Sequence, residues 1–240
     1  MVENMRFITI ASGKGGVGRT TLTANLGIAL AKLGHATTIV DGSLTTPNLA
    51  LLFNFEKVPY ALNDVLEGNA TLEDVLYDGP EGVKVVPAAV PLSRVQKAKP
   101  EKLPAAVRQQ PAGTKFVLID APGGLRLETV AALRSGKEIL LVTAPEMMSV
   151  SDVMKTRIAA EIFGLKPIGV VMNYIQGESH ELTKKEIADI MNLKVLAEIP
   201  YDKEVRASMK AGQPLLQRKP KSPAAKAIMK LAKTIADMKT

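Results

Sequence analysis

The sequence predicts a three-layer α/β/α domain around a mostly parallel sheet of about seven or eight strands. Short apolar runs recur along the chain, amphipathic helical patterns lie between them, and a glycine-rich loop joins the first run to the first helix. Most of the runs are nearly continuous rather than alternating. That suits strands covered on both faces, as in a parallel sheet between two helix layers.

In chain order the predicted strands are residues 7–11 (FITIA), 36–40 (ATTIV), 83–86 (VKVV), 116–119 (FVLI), 139–142 (ILLV), 168–172 (IGVVM) and 195–199 (VLAEI). The first helix is predicted over residues 20–33, where Leu22, Leu26, Ala29, Leu30 and Leu33 share one stripe and Gly34 ends it. Further helices are predicted near residues 149–163, 181–191, 202–210 and 223–238. Pro87, Pro91, Pro100, Pro104 and Pro111 punctuate the middle, but no long Gly/Ser/Pro linker and no internal repeat appears. One domain over residues 1–240 is therefore expected, with ligands at the carboxyl ends of the strands.

The chain of 240 residues is 46% hydrophobic and has no cysteine. That excludes disulfides, thiolate zinc sites, iron–sulfur ligation and cysteine nucleophiles. Only His35 and His180 offer imidazole, so metal chemistry is expected to use oxygen ligands. The first five residues carry no basic flank or long apolar stretch, and no apolar run approaches the roughly 20 residues that span a bilayer. A cytoplasmic location is expected.

The formal net charge of +7 favours anionic partners. The excess gathers at Arg206, Lys210, Arg218, Lys219, Lys221, Lys226, Lys230 and Lys233, which reads as a solvated basic face in preference to a membrane or DNA surface. Aromatics make up only 4% and do not interleave with these charges, so base-stacking platforms are not expected.

The chemistry concentrates in residues 12–21, SGKGGVGRTT. A glycine-rich loop that follows a strand and opens a helix can wrap phosphates with its backbone N–H groups, and Gly13, Lys14, Gly15, Gly16, Val17, Gly18, Arg19 and Thr20 form such a loop. Gly15, Gly16 and Gly18 remove side chains that would block close approach. Thr20 is placed to give its hydroxyl to Mg²⁺, and Thr21 to donate to an inner phosphate. Asp120 closes an apolar strand, where a carboxylate can hold Mg²⁺ directly or through water. Gly123 or Gly124 can offer an N–H to a γ-phosphate.

Lys14 within K-G-G-x-G-x-T-T resembles the deviant phosphate loop of the MinD/ParA ATPases. The similarity continues through residues 23–35 (TANLGIALAKLGH) and 116–124 (FVLIDAPGG), then Pro145, Glu146, Ser149, Ser151 and Asp152. It extends to residues 170–173 (VVMN), Ile199, Pro200 and residues 222–225 (SPAA), so it covers essentially the whole chain and is closer to MinD than to ParA. The resemblance implies a P-loop NTPase fold that binds ATP or ADP with Mg²⁺, and an ATP-dependent homodimer in which Lys14 reaches the partner subunit's phosphates. It also implies that Asn173 recognises adenine and that the loop Pro200, Tyr201 and Asp202 closes over the base. A protein partner, of unknown identity, is implied as well.

Two departures bear on hydrolysis. Arg19 stands where a phosphate loop has lysine; guanidinium keeps the charge but is planar and longer than a compact ammonium. Ser43 stands where MinD-like proteins have the second aspartate of a D-x-D, the one that orients or deprotonates the attacking water. A serine hydroxyl is no base at neutral pH, although it can hydrogen-bond a water. Asp41 is retained and is expected to support the Mg²⁺ hydration shell. The expectation is an ATP-binding switch with slow or absent hydrolysis that acts in spatial positioning, such as division-site placement. The alternatives are a ParA-type nonspecific DNA-binding ATPase and a pseudo-ATPase adaptor that ignores nucleotide. Ile228, Leu231, Ala232, Ile235 and Met238 form an apolar stripe, expected to be a packed core helix in preference to a peripheral membrane anchor.

Overall fold

A computed structural model describes residues 5–55, 58–89, 99–124 and 126–238; Pro91, expected to punctuate the middle, and the first four residues lie outside them. The chain begins β1 (Arg6–Ala11), α1 (Arg19–Lys32), β2 (Thr37–Asp41), α2 (Leu49–Leu52), α3 (Leu62–Glu67), β3 (Tyr77–Asp78) and β4 (Lys84–Val86). It continues with α4 (Leu103–Val107), β5 (Phe116–Asp120), α5 (Leu127–Ser135), β6 (Glu138–Thr143), α6 (Met147–Ile162) and β7 (Lys166–Ile175). Last come α7 (Lys184–Met191), β8 (Val195–Pro200), α8 (Lys203–Lys210), α9 (Leu215–Arg218) and α10 (Pro223–Asp237).

Among the described residues the sheet has eight strands in the order β3-β4-β2-β5-β1-β6-β7-β8. Every pairing is parallel except β3 with β4, where Tyr77 faces Val85. Alternate residues of each inner strand serve opposite layers. Phe7, Val117, Ile119, Ile139 and Leu141 enter one core, with α3, α4, α5 and α7. Ile8, Ile10, Leu118, Leu140 and Val142 enter the other, with α1, α2, α9 and α10.

All seven predicted runs form strands. The edge strand β3 was not predicted, nor were the short helices α2, α3, α4 and α9 or the longer α5. Helix α7 starts at Lys184 rather than at 181, because Thr183 caps it: its backbone N–H donates to Glu186 Oε2 (2.8 Å), and the Glu186 N–H donates to Thr183 Oγ1 (3.3 Å).

The apolar stripe near the carboxyl end is buried. Ala224, Ala225, Leu231, Ala232 and Ile235 have no exposed surface, so this helix is a core helix. Among the described residues, no helix is long and apolar enough to cross a membrane. Arg6 ties α10 to the sheet: Nε and Nη2 donate to the Glu138 carboxylate (2.8 and 2.9 Å) and Nη1 donates to the Ile235 carbonyl (2.6 Å).

Candidate functional site

The central strands β1, β2 and β5 end together. Ile10 lies in register with Asp120, and Asp41 lies in register with Asp120 on the other side. This places the glycine loop and both carboxylates at one carboxyl edge, where a doubly wound sheet receives its ligands.

The loop is shaped by contacts a side chain would break. A Cβ on Gly13 would stand 2.2 Å from the carbonyl carbon of Asp152 in α6, and one on Gly18 would stand 2.3 Å from Asn173 Nδ2. Gly18 holds φ 80°, a left-handed conformation, and precedes α1 without any side-chain cap, with no acidic residue in the first turn. The opening N–H groups of α1 have no intrahelical acceptor. An uncapped N-terminus of this kind suits an anion. A Cβ on Gly15 or Gly16 would meet nothing within 4 Å, so the loop's crest is open.

Arg19 does not rise toward that crest. It donates Nε–H to Asp120 Oδ1 (2.9 Å) and Nη1–H to Ser12 Oγ (3.2 Å). The Ser12 hydroxyl donates in turn to the Lys14 carbonyl (2.9 Å). Thr20 Oγ1 donates to Asp120 Oδ2 (2.6 Å), and Thr23 Oγ1 lies 3.2 Å from Asp120 Oδ1 and 3.0 Å from the Arg19 carbonyl. Asp120 is wholly buried, and α1 satisfies both its oxygens.

Asp41 is buried as deeply but serves its own loop. Its Oδ1 accepts from the Ser43 N–H (3.1 Å), and its Oδ2 accepts from the N–H groups of Asn48 (3.2 Å) and Leu49 (3.1 Å), fixing the turn into α2. Burial, reinforced by the Asp120 charge, pushes the Asp41 carboxyl up to about 7, while the three backbone N–H bonds oppose that rise. Ser43 is also buried, at 3% exposed.

A cleft of about 510 Å³ opens over Gly16, Gly18, Arg19, Thr20 and Thr21. Its far wall comes from other elements: Leu51 and Leu52 of α2, Tyr174, Tyr201, and Val205, Arg206 and Met209 of α8. Burial, with the neighbouring Tyr201, raises the Tyr174 phenol above its usual range, and Arg206 partly opposes this. The Arg206 guanidinium stands 5.8 Å over the Tyr201 ring.

The residues expected around the base divide. Tyr201 lines the cleft, Asn173 and Pro200 line an adjoining crevice of about 20 Å³, and Asp202 lines both. Asn173 Nδ2 donates to the Val17 carbonyl (2.8 Å), so the side chain braces the loop. The Asp202 carboxylate caps α8, accepting from the N–H of Glu204 (3.0 Å), and also accepts from the N–H of Ala224 (3.3 Å) in the first turn of α10, which Ser222 caps. Gly123 lies against the loop, and Gly124 holds φ 76°. Lys14 reaches outward, with Nζ 3.4 Å from Glu146 Oε2 and 41% of its side chain exposed. Among the described residues no group of three or more His, Cys, Asp or Glu side chains is placed to hold a metal ion. The Thr20 hydroxyl and the Asp120 carboxylate, two of the oxygen groups expected to hold a cation, lie together at 2.6 Å.

A family model for the CobQ/CobB/MinD/ParA nucleotide-binding domain matches residues 8–215. The chain belongs to this family. An uncharacterized ATP-binding protein of Methanocaldococcus jannaschii is 41% identical, over 94% of this chain and 85% of that one. The septum site-determining protein MinD of Pyrococcus horikoshii, solved with Mg-ADP, superposes with a TM-score of 0.94 at 39% identity, covering 97% of this chain and 96% of that one. MinD in the MinC:MinD cell division complex of Aquifex aeolicus superposes with a TM-score of 0.86 at 28% identity, covering 98% and 97%.

For a member of the CobQ/CobB/MinD/ParA family, the cleft wall is the part that sequence reading missed. Leu51, Val205, Arg206 and Met209 carry no motif; only their place on α2 and α8 brings them opposite the loop. Arg206 stood out in the sequence as part of the basic cluster, but nothing there linked it to Tyr201.

Proposed function

We propose that this chain is a MinD-like ATP-binding switch that pairs with a second copy of itself when loaded, positions a protein partner, and hydrolyses ATP slowly or not at all. The observation that carries the reading is the direction of Arg19. Its guanidinium is bound to Asp120 and Ser12 below the loop, at 11% side-chain exposure. The position that a phosphate loop gives to a phosphate-facing lysine is thus turned toward the metal carboxylate. Ser43 removes the second group that hydrolysis needs, a base for the attacking water.

The uncapped N-terminus of α1 and the cleft above it fit a triphosphate, and Thr20 with Asp120 fits Mg²⁺. Bound Mg²⁺ would neutralise charge on the outer phosphates. Thr21 and the loop N–H groups would hold the inner ones, and the Leu51, Tyr174, Tyr201 and Val205 walls would exclude water from the base. The Mg-ADP in the P. horikoshii relative supports this reading. Among the described residues the Lys14 ammonium is held by an exposed ion pair with Glu146, of the kind worth little, so it could swing to reach a partner subunit's phosphates. The A. aeolicus complex supports a protein partner for this fold, and the whole of residues 1–240 is read as one nucleotide-binding domain.

The test is titration with ATP and Mg²⁺ followed by mass measurement in solution. ATP binding with a shift from monomer to dimer is expected, and Lys14→Ala should keep the binding and lose the shift. A wild-type chain that stays monomeric at saturating ATP would sink the switch.

A further inference from the structure

We propose that the groove between the start of α8 and the turn joining α9 to α10 is a docking surface for an acidic protein segment with aromatic or aliphatic anchors. This rests on the reading above that the chain positions a protein partner, and adds the chemistry of that partner and the face that holds it.

The groove encloses about 730 Å³, more than the nucleotide cleft. Tyr201, Pro220 and Pro223 give it an apolar floor, and Lys203, Lys219 and Lys221 stand on it as exposed cations. Its shape is set before any ligand arrives. Pro220 and Pro223 fix their own φ angles, and the Ser222 N–H donates to the Lys219 carbonyl (3.0 Å). Across from this turn, Arg218 Nη1–H donates to Glu204 Oε2 (3.3 Å) and ties α9 to α8. A surface already rigid loses little freedom on binding.

The charge of the groove is uncompensated. Its two carboxylates are engaged, Glu204 with Arg218 and Asp202 with the N–H groups of Glu204 and Ala224. Among the described residues Lys219 and Lys221 form no ion pair, so their charge is left for an anionic partner. The apolar floor selects among anions. Duplex DNA would offer phosphates to the lysines and leave the floor unfilled, and a bilayer is entered by apolar side chains that protrude, not by ones set in a groove. An acidic segment with an apolar anchor meets both the rim and the floor. Tyr201 and Asp202 also wall the nucleotide cleft, so a segment seated here lies against the loop beside the nucleotide.

Fluorescence anisotropy on the full chain tests this with a labelled random copolymer of glutamate and tyrosine, beside polyglutamate, a short DNA duplex of arbitrary sequence and phosphatidylserine vesicles. The copolymer should bind about tenfold more tightly than polyglutamate. Lys219→Glu with Lys221→Glu should weaken it by about tenfold or more, whereas Lys226→Glu with Lys230→Glu, exposed on α10 outside the groove, should change it by less than about threefold. The wild-type comparison of the two polymers stands alone if a variant does not fold. Equal loss in both variant pairs would reduce the effect to net charge and overturn the groove. So would a copolymer that does not bind or binds no better than polyglutamate, or DNA or vesicles that bind more tightly through Lys219 and Lys221. Dimerisation on ATP without copolymer binding overturns the groove alone; copolymer binding without that dimerisation sinks the switch and leaves the groove standing.

Discussion

Gly123 touches Gly15: a Cβ added to the first would stand 2.9 Å from the amide nitrogen of the second. The loop after β5 and the phosphate loop are in backbone contact, so a shift in either must move the other.

Gly123→Ala should therefore displace the phosphate loop, lowering stability by about 1–3 kcal/mol through overpacking. ATP affinity should fall by about tenfold, or 1.4 kcal/mol. Gly124→Ala is the control. Its φ of 76° makes alanine cost about 1–2 kcal/mol, but a Cβ there meets nothing within 4 Å, so affinity should hold. Urea denaturation and calorimetry on both variants separate strain from displacement.

Hydrolysis should be recoverable. In Arg19→Lys the Asp120 carboxylate is freed and an ammonium can face the phosphates; in Ser43→Asp a carboxylate returns to the loop after β2. The pair should raise phosphate release by about 100-fold or more, each change alone giving less. Wild-type turnover at the rate of the double variant would show that neither departure matters.

Asp202→Ala should cost about 1–2 kcal/mol, because one carboxylate caps α8 and also binds the first turn of α10. Burial acts to raise the Asp202 carboxyl, but the Glu204 N–H, the Ser222 side chain, the Ala224 N–H and the Lys203 charge together hold it below the usual carboxylate range. A lowered folded value means stability that is fully present above the unfolded carboxylate range and is lost as pH falls through the folded value. The gap between wild type and variant in urea midpoints should stay constant above about pH 5 and close progressively below it.

Much of the fold was legible because buried parallel strands advertise themselves as apolar runs. Strand β3 did not, since two residues make no apolar run: Tyr77 and Asp78 pair with β4, and the Tyr77 hydroxyl donates to the Tyr60 carbonyl (2.7 Å). Helix α2 was equally silent: four residues, LALL, are set by Asp41 accepting from Asn48 and Leu49, an interaction across seven and eight positions. In the site, glycine spacing and the strand-end position revealed the loop and Asp120. The direction of Arg19 was not readable, because it depends on Ser12 and Asp120 being brought under the loop by two separate strands. Asp202 belongs to the loop expected to cover the base; it lines the cleft, but its oxygens are taken by the Glu204 N–H, a local cap, and by the Ala224 N–H, which only the tertiary fold brings near.

Arg6 joins the first strand to Glu138 and to the Ile235 carbonyl, 229 residues further along the chain. Helix α10 packs against α1, the helix that carries the phosphate loop. During synthesis, then, the loop-bearing helix leaves the ribosome long before the helix that supports it, and a nascent chain cannot hold its nucleotide cradle in final form until residue 235 has emerged.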